Sequence, residues 1–305
     1  MVEPVRAEDH VALRTALQEL AEQDPLIAVR DAAGQLAVSL YGEVQKEVIG
    51  ATLAADYGLE VMFRGATPLY VERPRGSGEA LERLNTPANP FQATLGFRVQ
   101  PGRAGSGIVV RARVDHRSVP LYVYKTMGGF VAALEEYVRN TLREGLSGWP
   151  VEDIVVTLTT CNYSVADGPP SQRGPTSTAA DFRKLTPLVL MAALQRAGAA
   201  VCEPLAGVRL DAPGATLGPL LGGLARLGAT VQTQHAQGDD VVLEVLLPAA
   251  DVAELHRLLP GLTHGEGVLE SHQAGYRRVH GRPPIRRRTT VDPRHRQEYL
   301  AALRL

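Results

Sequence analysis

Gly148-Trp149-Pro150-Val151-Glu152-Asp153-Ile154 leads directly into Val155-Val156-Thr157-Leu158-Thr159 near the middle of the chain. Glycine and proline on either side of an aromatic residue are typical of a chain reversal, and the β-branched run after it predicts a strand. Beyond a loop, Ala180-Asp181-Phe182-Arg183 begins a long apolar stretch that predicts a buried helix ending at Gly198. Turn, strand, loop and helix in this order predict a central α/β domain.

Two flanking segments have the pattern of ferredoxin-like domains. Residues 1–74 read α-β-β-α-β, and residues 201–285 read β-α-β-β-α-β. The central domain then covers residues 75–200, and residues 286–305 form a basic tail with a helix. The predicted fold class is α+β, with two ferredoxin-like domains flanking an α/β domain.

Several local patterns predict elements inside this frame. We expect strands over 91–99 and 108–114 that pair around a glycine-rich loop, and one amphipathic helix over 124–142. Ser177-Thr178-Ala179-Ala180-Asp181 has the residues of a capping box. Asp292 followed by Pro293 predicts the N-cap and first position of a last helix.

Composition limits the class of protein. The 305 residues are 45% hydrophobic and 21% charged, with a net charge of -1, which is typical of a soluble globular protein with two or three domains. No apolar run is long enough to span a membrane, and the N-terminus lacks a signal-peptide pattern. The two cysteines, Cys161 and Cys202, have neither metal-site nor disulfide spacing. We expect a cytoplasmic monomer with no membrane contact and no metal.

The usual catalytic motifs are absent from the sequence. None of the three lysines follows a glycine, so the phosphate-binding Gly-Lys-Ser/Thr loop is missing. No two histidines are spaced four apart, and no serine lies in a Gly-x-Ser-x-Gly elbow. Asp239 and Asp240 follow Gly238, which predicts a hairpin turn rather than a pair of catalytic carboxylates. The sequence therefore predicts no catalysis by this chain.

Two segments remain as candidate recognition surfaces. Residues 162–175 are rich in proline and glycine and too long for a simple connection, which is typical of a functional loop or of a variable, flexible insertion. Residues 277–305 carry nine arginines against Asp292 and Glu298. Such a segment could contact a polyanion such as rRNA, remain a solvated tail, or pack on the central domain through Tyr299, Leu300 and Leu303.

The order of motifs resembles a known family. Glu43-Val44-Gln45-Lys46-Glu47-Val48-Ile49, Tyr57-Gly58-Leu59-Glu60-Val61 and Tyr70-Val71-Glu72-Arg73 resemble domain III of elongation-factor-G-like translational GTPases. Asn89-Pro90-Phe91 and Thr178-Ala179-Ala180-Asp181-Phe182-Arg183 are similar to the tetracycline-resistance ribosomal protection proteins within that superfamily. The likeness extends from about Val2 to Leu303.

The resemblance implies that the chain contains domains III, IV and V, and that the GTPase half preceding them is missing. GTP and magnesium would bind to that half, so no cofactor is expected here. The implied partner is the ribosome, at the small-subunit rRNA of the decoding site, from which the intact protein would release tetracycline. The segments 101–107, 115–120 and 162–176 match the family's tip loops, although the third is longer here and shares little of the family's tip sequence.

The residues expected to contact the ribosome come from these loops and from the basic tail. Tyr163 offers a ring for stacking on a base, and Arg173 and Gln172 offer donors to phosphates or base edges. The full set is Asn162, Tyr163, Ser164, Pro169, Pro170, Gln172, Arg173, Arg103, Ser106, His116, Arg117, Arg286, Arg287 and Arg288.

Two other interpretations stay open. A divergent elongation factor G paralogue would act in translocation, and its tip is expected to be a shorter Gly-Ser-Tyr-His-type turn. An enzyme built on ferredoxin-like domains would require polar residues clustered in a pocket.

Overall fold

The computed structural model describes residues 2–23, 27–32, 35–39, 43–63, 69–165 and 175–303. The chain divides into two compact units, one formed by Met1–Leu69 with Glu203–Arg277 and the other by Tyr70–Cys202 with Arg278–Leu305. The domain boundaries expected from the sequence, after residues 74, 200 and 285, remain predictions. Among the described helices, none has the length and apolar character needed to cross a bilayer.

The first unit begins with a βαββαβ module. Its elements are β1 (Val2–Pro4), α1 (His10–Gln23), β2 (Ala28–Ala32), β3 (Gln35–Ser39), α2 (Glu43–Tyr57) and β4 (Val61–Phe63). The strand order β2-β3-β1-β4 is that of a ferredoxin-like sheet, and α1 buries Leu13, Ala16, Leu17 and Leu20 on one face. The predicted module is confirmed, with β1 as a first strand that the pattern of short apolar runs did not indicate.

The later part of the first unit repeats the same topology. Its elements are β10 (Ala199–Pro213), α6 (Leu217–Arg226), β11 (Thr230–Gln237), β12 (Asp240–Pro248), α7 (Val252–Leu262) and β13 (Val268–Arg278). The strand order is β11-β12-β10-β13. Gly238, with a φ of 66°, lies in the turn between the paired residues Gln237 and Asp240, which confirms the predicted hairpin.

The second unit contains the central domain. Its strands are β5 (Val71–Pro74), β6 (Gly78–Glu82), β7 (Ala93–Pro101), β8 (Ile108–Ala112) and β9 (Ile154–Tyr163). Four of these form a sheet in the order β6-β7-β9-β8, and β5 pairs instead with the first residues of β10. The helices are α3 (Leu121–Tyr124), α4 (Met127–Thr141) and α5 (Ala179–Ala197), and α8 (Arg296–Ala302) follows near the C-terminus.

The expected pairing of β7 with β8 is wrong. β9 lies between them, antiparallel to β7 and parallel to β8. A parallel neighbour cannot be reached through a tight turn, so the chain crosses from β8 to β9 through α4.

The expected single helix over 124–142 is also interrupted, because Lys125 has a φ of 64° and Thr126 caps α4 by accepting a hydrogen bond from Gly129 N at 3.0 Å.

The core of the second unit lies between this sheet and the pair α4 and α5. Phe91, Phe97, Phe130 and Phe182 are among its fully buried side chains. α5 begins at the predicted capping box, in which Thr178 and Asp181 each cap the other's backbone. Burial of α5 on several sides explains its nearly continuous apolar sequence.

Gly78 begins β6 under α5. A Cβ atom at this position would meet Ala193 O and Ala197 N of α5 at closer than van der Waals distance. The strand and the helix therefore approach each other so closely that only glycine fits.

We expect Gly78→Ala to destabilise the second unit by about 1–3 kcal/mol, because the added methyl group forces α5 away from β6. Thermal unfolding followed by the fluorescence of Trp149, the only tryptophan, would measure this loss. Gly128→Ala in α4 is the matched control, because it lies in the same unit and its Cβ would meet no atom closer than 3.9 Å. That substitution is expected to leave stability equal or slightly higher, and an equal melting temperature for both variants would contradict the close approach.

Candidate nucleic-acid interface

The C-terminal end of β9 carries the first predicted recognition residues. Asn162 is exposed, and its Oδ1 accepts a hydrogen bond from Tyr163 N at 2.9 Å. Tyr163 is half-buried and packs against the core of the second unit. Its ring centroid lies 5.7 Å from that of Tyr122, at a tilt of 57°.

Two serines join the chain on either side of the long loop. Ser177 N donates to Ser164 O at 2.9 Å, and Ser164 N donates to Ser177 Oγ at 2.8 Å. The Ser177 hydroxyl donates in turn to Gln92 O, and the residue is 2% exposed. Ser164 and Ser177 therefore form a closed neck, from which the loop begins and to which it returns. Pro169, Pro170, Gln172 and Arg173 lie outside the described residues.

Tyr122 of α3 ties this neck to the rest of the domain. Its hydroxyl donates to Ser177 O at 2.9 Å and lies 3.2 Å from Ser164 O. The hydroxyl is a donor at neutral pH, and partial burial raises its pKa further. Sequence reasoning missed Tyr122 and Ser177, because both act through partners more than 10 residues away in sequence.

His116 and Arg117 lie in a 3₁₀ turn that follows β8. Asp115 organises this turn, because its Oδ1 accepts from Arg117 N at 2.8 Å and lies 3.2 Å from His116 Nδ1. Both predicted residues are exposed. Since β8 and β9 run in the same direction, the turn lies towards the end of the sheet that carries Tyr163.

Arg103 and Ser106 lie at the other end of the sheet. Their loop is held to the start of β9, where Gly102 N donates to Asp153 O at 2.6 Å and Gly107 N donates to Asp153 Oδ1 at 3.1 Å. β9 has 10 residues, so at about 3.3 Å per residue its ends are ~30 Å apart. The structure does not bring Arg103 and Ser106 together with Tyr163.

The basic segment after residue 278 packs on the central domain at the turn before β9. The Arg286 guanidinium lies 5.8 Å from the Trp149 ring centroid, and Arg286 N donates to Ser147 O at 2.9 Å. Arg288 Nη1 donates to Gly145 O at 2.7 Å, and the Arg288 side chain is 13% exposed. Arg287 is exposed. Of the three arginines, Arg287 is exposed, whereas Arg286 and Arg288 are half-buried, and the contact of all three with rRNA stays a prediction.

Glu144 is the centre of this packing. Its carboxylate accepts hydrogen bonds from the backbone and hydroxyl groups of Thr289, both at 2.7 Å, and of Thr290, at 3.3 and 2.5 Å. Partial burial favours a higher pKa, but the bonds from Thr290 and Thr289 outweigh it and lower the pKa of Glu144.

The terminal helix continues the same contact. Tyr299, Leu300 and Leu303 pack against the core of the second unit, which is one of the three roles considered for this segment. The predicted N-cap is wrong: Asp292 Oδ1 accepts from Arg294 N at 3.0 Å in a preceding turn, and α8 begins only at Arg296.

We expect Glu144→Gln to lower stability by about 2 kcal/mol at pH 7, because the four bonds lose their charged acceptor. The folded pKa lies below the unfolded value of about 4.3, so the contribution is complete above that pH and is lost as the pH falls through the folded pKa. Trp149 fluorescence during urea unfolding at pH 7 and at pH 3 would test both points. Glu135→Gln removes a surface pair with Arg139 and is the control, with an expected loss below about 0.5 kcal/mol. If Glu144→Gln lowered the free energy of unfolding equally at both pH values, the role of the ionised Glu144 carboxylate as acceptor would be contradicted.

Two family descriptions match parts of the chain. Residues 71–198 match elongation factor G, domain IV, and residues 200–287 match the elongation factor G C-terminus. A crystal structure of a protein from Thermus thermophilus superposes on 98% of this chain and 42% of its own, with a TM-score of 0.66 and 22% identity, which supports the fold.

Curated relatives match nearly the whole chain. An oxytetracycline resistance protein of Streptomyces rimosus is 41% identical over 98% of the chain, and the tetracycline resistance protein TetM of Streptomyces lividans is 43% identical over 87%. The tetracycline resistance protein TetP of Clostridium perfringens is 32% identical over 98%. The chain spans 44%, 39% and 44% of the length of these relatives.

Proposed function

The chain belongs to the elongation factor G-like family and is similar to the C-terminal part of tetracycline resistance proteins, and we propose that it is the ribosome-binding part of such a protein. In this proposal the intact protein releases tetracycline from the small-subunit decoding site in a GTP-dependent manner. GTP and magnesium bind to a GTPase domain outside this sequence. The chain itself contributes shape and contacts, and no catalysis.

The similarity to the Streptomyces rimosus protein carries the proposal. An identity of 41% over 98% of the chain includes both ferredoxin-like modules, the central domain and the C-terminal segment. The named relatives act in resistance to tetracyclines, so a common role in the same process accounts for similarity over all parts of the chain. A translocation factor would account for the domains but not for these relatives.

The geometry of the neck supports a role for the long loop. Ser164, Ser177 and Tyr122 fix both ends of residues 166–174 to the sheet. A loop held at its base by a rigid domain is a common arrangement for recognition. A loop that acts on rRNA through its shape needs fixed ends, because a loop with mobile ends would move away from the contact.

We expect that replacing residues 166–175 with a short Gly-Ser turn leaves the melting temperature nearly unchanged, because the neck bonds remain and loop length affects stability only weakly. In a full-length protein with its GTPase domain, the same change should abolish tetracycline protection and preserve ribosome-stimulated GTP hydrolysis. Growth at graded drug concentrations and phosphate release would measure the two effects. Resistance at the parental drug level would show that the loop is not the functional tip.

We expect the 305-residue chain alone to bind no GTP, because its sequence lacks the glycine-lysine loop that cradles phosphates. Isothermal titration with GTP and magnesium would test this. A dissociation constant in the micromolar range would reveal a nucleotide site and would favour an enzyme over a recognition module.

A further inference from the structure

Tyr122 combines a fixed hydroxyl with an exposed ring. The side chain is 51% exposed, whereas every other aromatic side chain in the described part of the chain is buried or half-buried. Its hydroxyl is held by Ser177 O and Ser164 O, and the Tyr163 ring lies beside it. Such anchoring removes most of the rotamer freedom that an exposed tyrosine would lose on binding a partner.

Tyr163 is less suited to stack on a base. It is half-buried, and it packs against the core of the second unit as well as against Tyr122. A base could reach only the part of the ring that these contacts leave open. Its position makes Tyr163 a support for the exposed ring of Tyr122.

The chain around Tyr122 is positively charged. Residues 111–125 include four arginine or lysine residues and one acid, Asp115, whose carboxylate already accepts from Arg117 N and lies beside His116. The four are exposed, and they are Arg111, Arg113, Arg117 and Lys125. An exposed aromatic ring in a stretch of chain that also carries exposed cations is the combination that unpaired nucleic acid selects, with a base on the ring and phosphates on the cations.

We propose that Tyr122 is the residue on which an unpaired base of the small-subunit rRNA stacks, with Tyr163 as its support and the cations of 111–125 as phosphate contacts. This inference rests on the proposed ribosome binding. It transfers the stacking role from Tyr163, to which the sequence assigns it, to a residue of α3 that lies outside all three loop segments.

The test must separate stacking by the ring from the structural role of the hydroxyl. Tyr122→Phe keeps the ring and loses the bonds to Ser177 and Ser164, Tyr122→Trp enlarges the ring, and Tyr122→Leu removes the aromatic face. Affinity of the full 305-residue chain for purified small ribosomal subunits is the measurement, with melting temperatures recorded for each variant. Tyr57→Leu, in the first unit, is the control for the loss of a tyrosine elsewhere.

Stacking predicts that the Phe and Trp variants bind within about threefold of the parent, whereas the Leu variant binds about tenfold more weakly or worse, at a melting temperature equal to that of the Phe variant. Equal weakening by Phe and Leu would assign Tyr122 to the neck alone and overturn the inference. Unchanged binding by Leu would also overturn it while leaving the proposed function in place. If the parent chain does not bind small subunits at all, the proposed function itself fails, and the inference fails with it.

Discussion

β9 runs parallel to β8 and antiparallel to β7, and the parallel pairing is the constraint on which the central domain depends. Parallel neighbours require a crossover, so α4 must connect the two strands and cover one face of the sheet. The crossover places the 3₁₀ turn of His116 at one end of β9 and the turn of Trp149 at the other. Each end then acquires its own partners: Tyr122 and Ser177 at the C-terminal end, and the C-terminal segment at the start.

A buried carboxylate organises the turn that begins β9. Glu72 is fully buried and accepts hydrogen bonds from the backbone of Leu146, Ser147 and Trp149, at 2.7, 2.7 and 3.1 Å. Burial raises the pKa of Glu72, and the three amide donors offset part of that rise. In this turn the Trp149 indole Nε1 donates a hydrogen bond to Pro284 O at 2.8 Å. The Gly-Trp-Pro reversal is therefore recognisable locally, but its carboxylate partner lies more than 70 residues away in sequence and cannot be inferred from the turn.

Elements that depend on neighbouring residues were predicted correctly from the sequence, whereas strand pairings between distant residues were not. The capping box at Thr178 and the hairpin at Gly238 follow from residues within a few positions of each other, and the two ferredoxin-like modules follow from the order of such local elements. Several strand pairings fit the same hydrophobic periodicity, so the sequence does not predict that β9 lies between β7 and β8. For the candidate site, the sequence identified Tyr163 and Ser164 from their loop. It could not identify Tyr122, because Tyr122 and Tyr124 have the same local surroundings in sequence and only the fold exposes one of them.

Charge counted along the sequence differs from charge that is available for binding. The C-terminal segment has the highest density of arginine, but several of these side chains have partners within the chain: Arg277 pairs with Glu203, Arg294 with Asp292 and Arg296 with Glu82. Arg288 donates to the carbonyl groups before Trp149. Residues 111–125 carry fewer cations, yet these are exposed and have a single acid among them. Since a phosphate backbone attracts accessible cations, we infer that the end of the sheet with Tyr122 is a better candidate for an RNA contact than the segment that the composition alone favours.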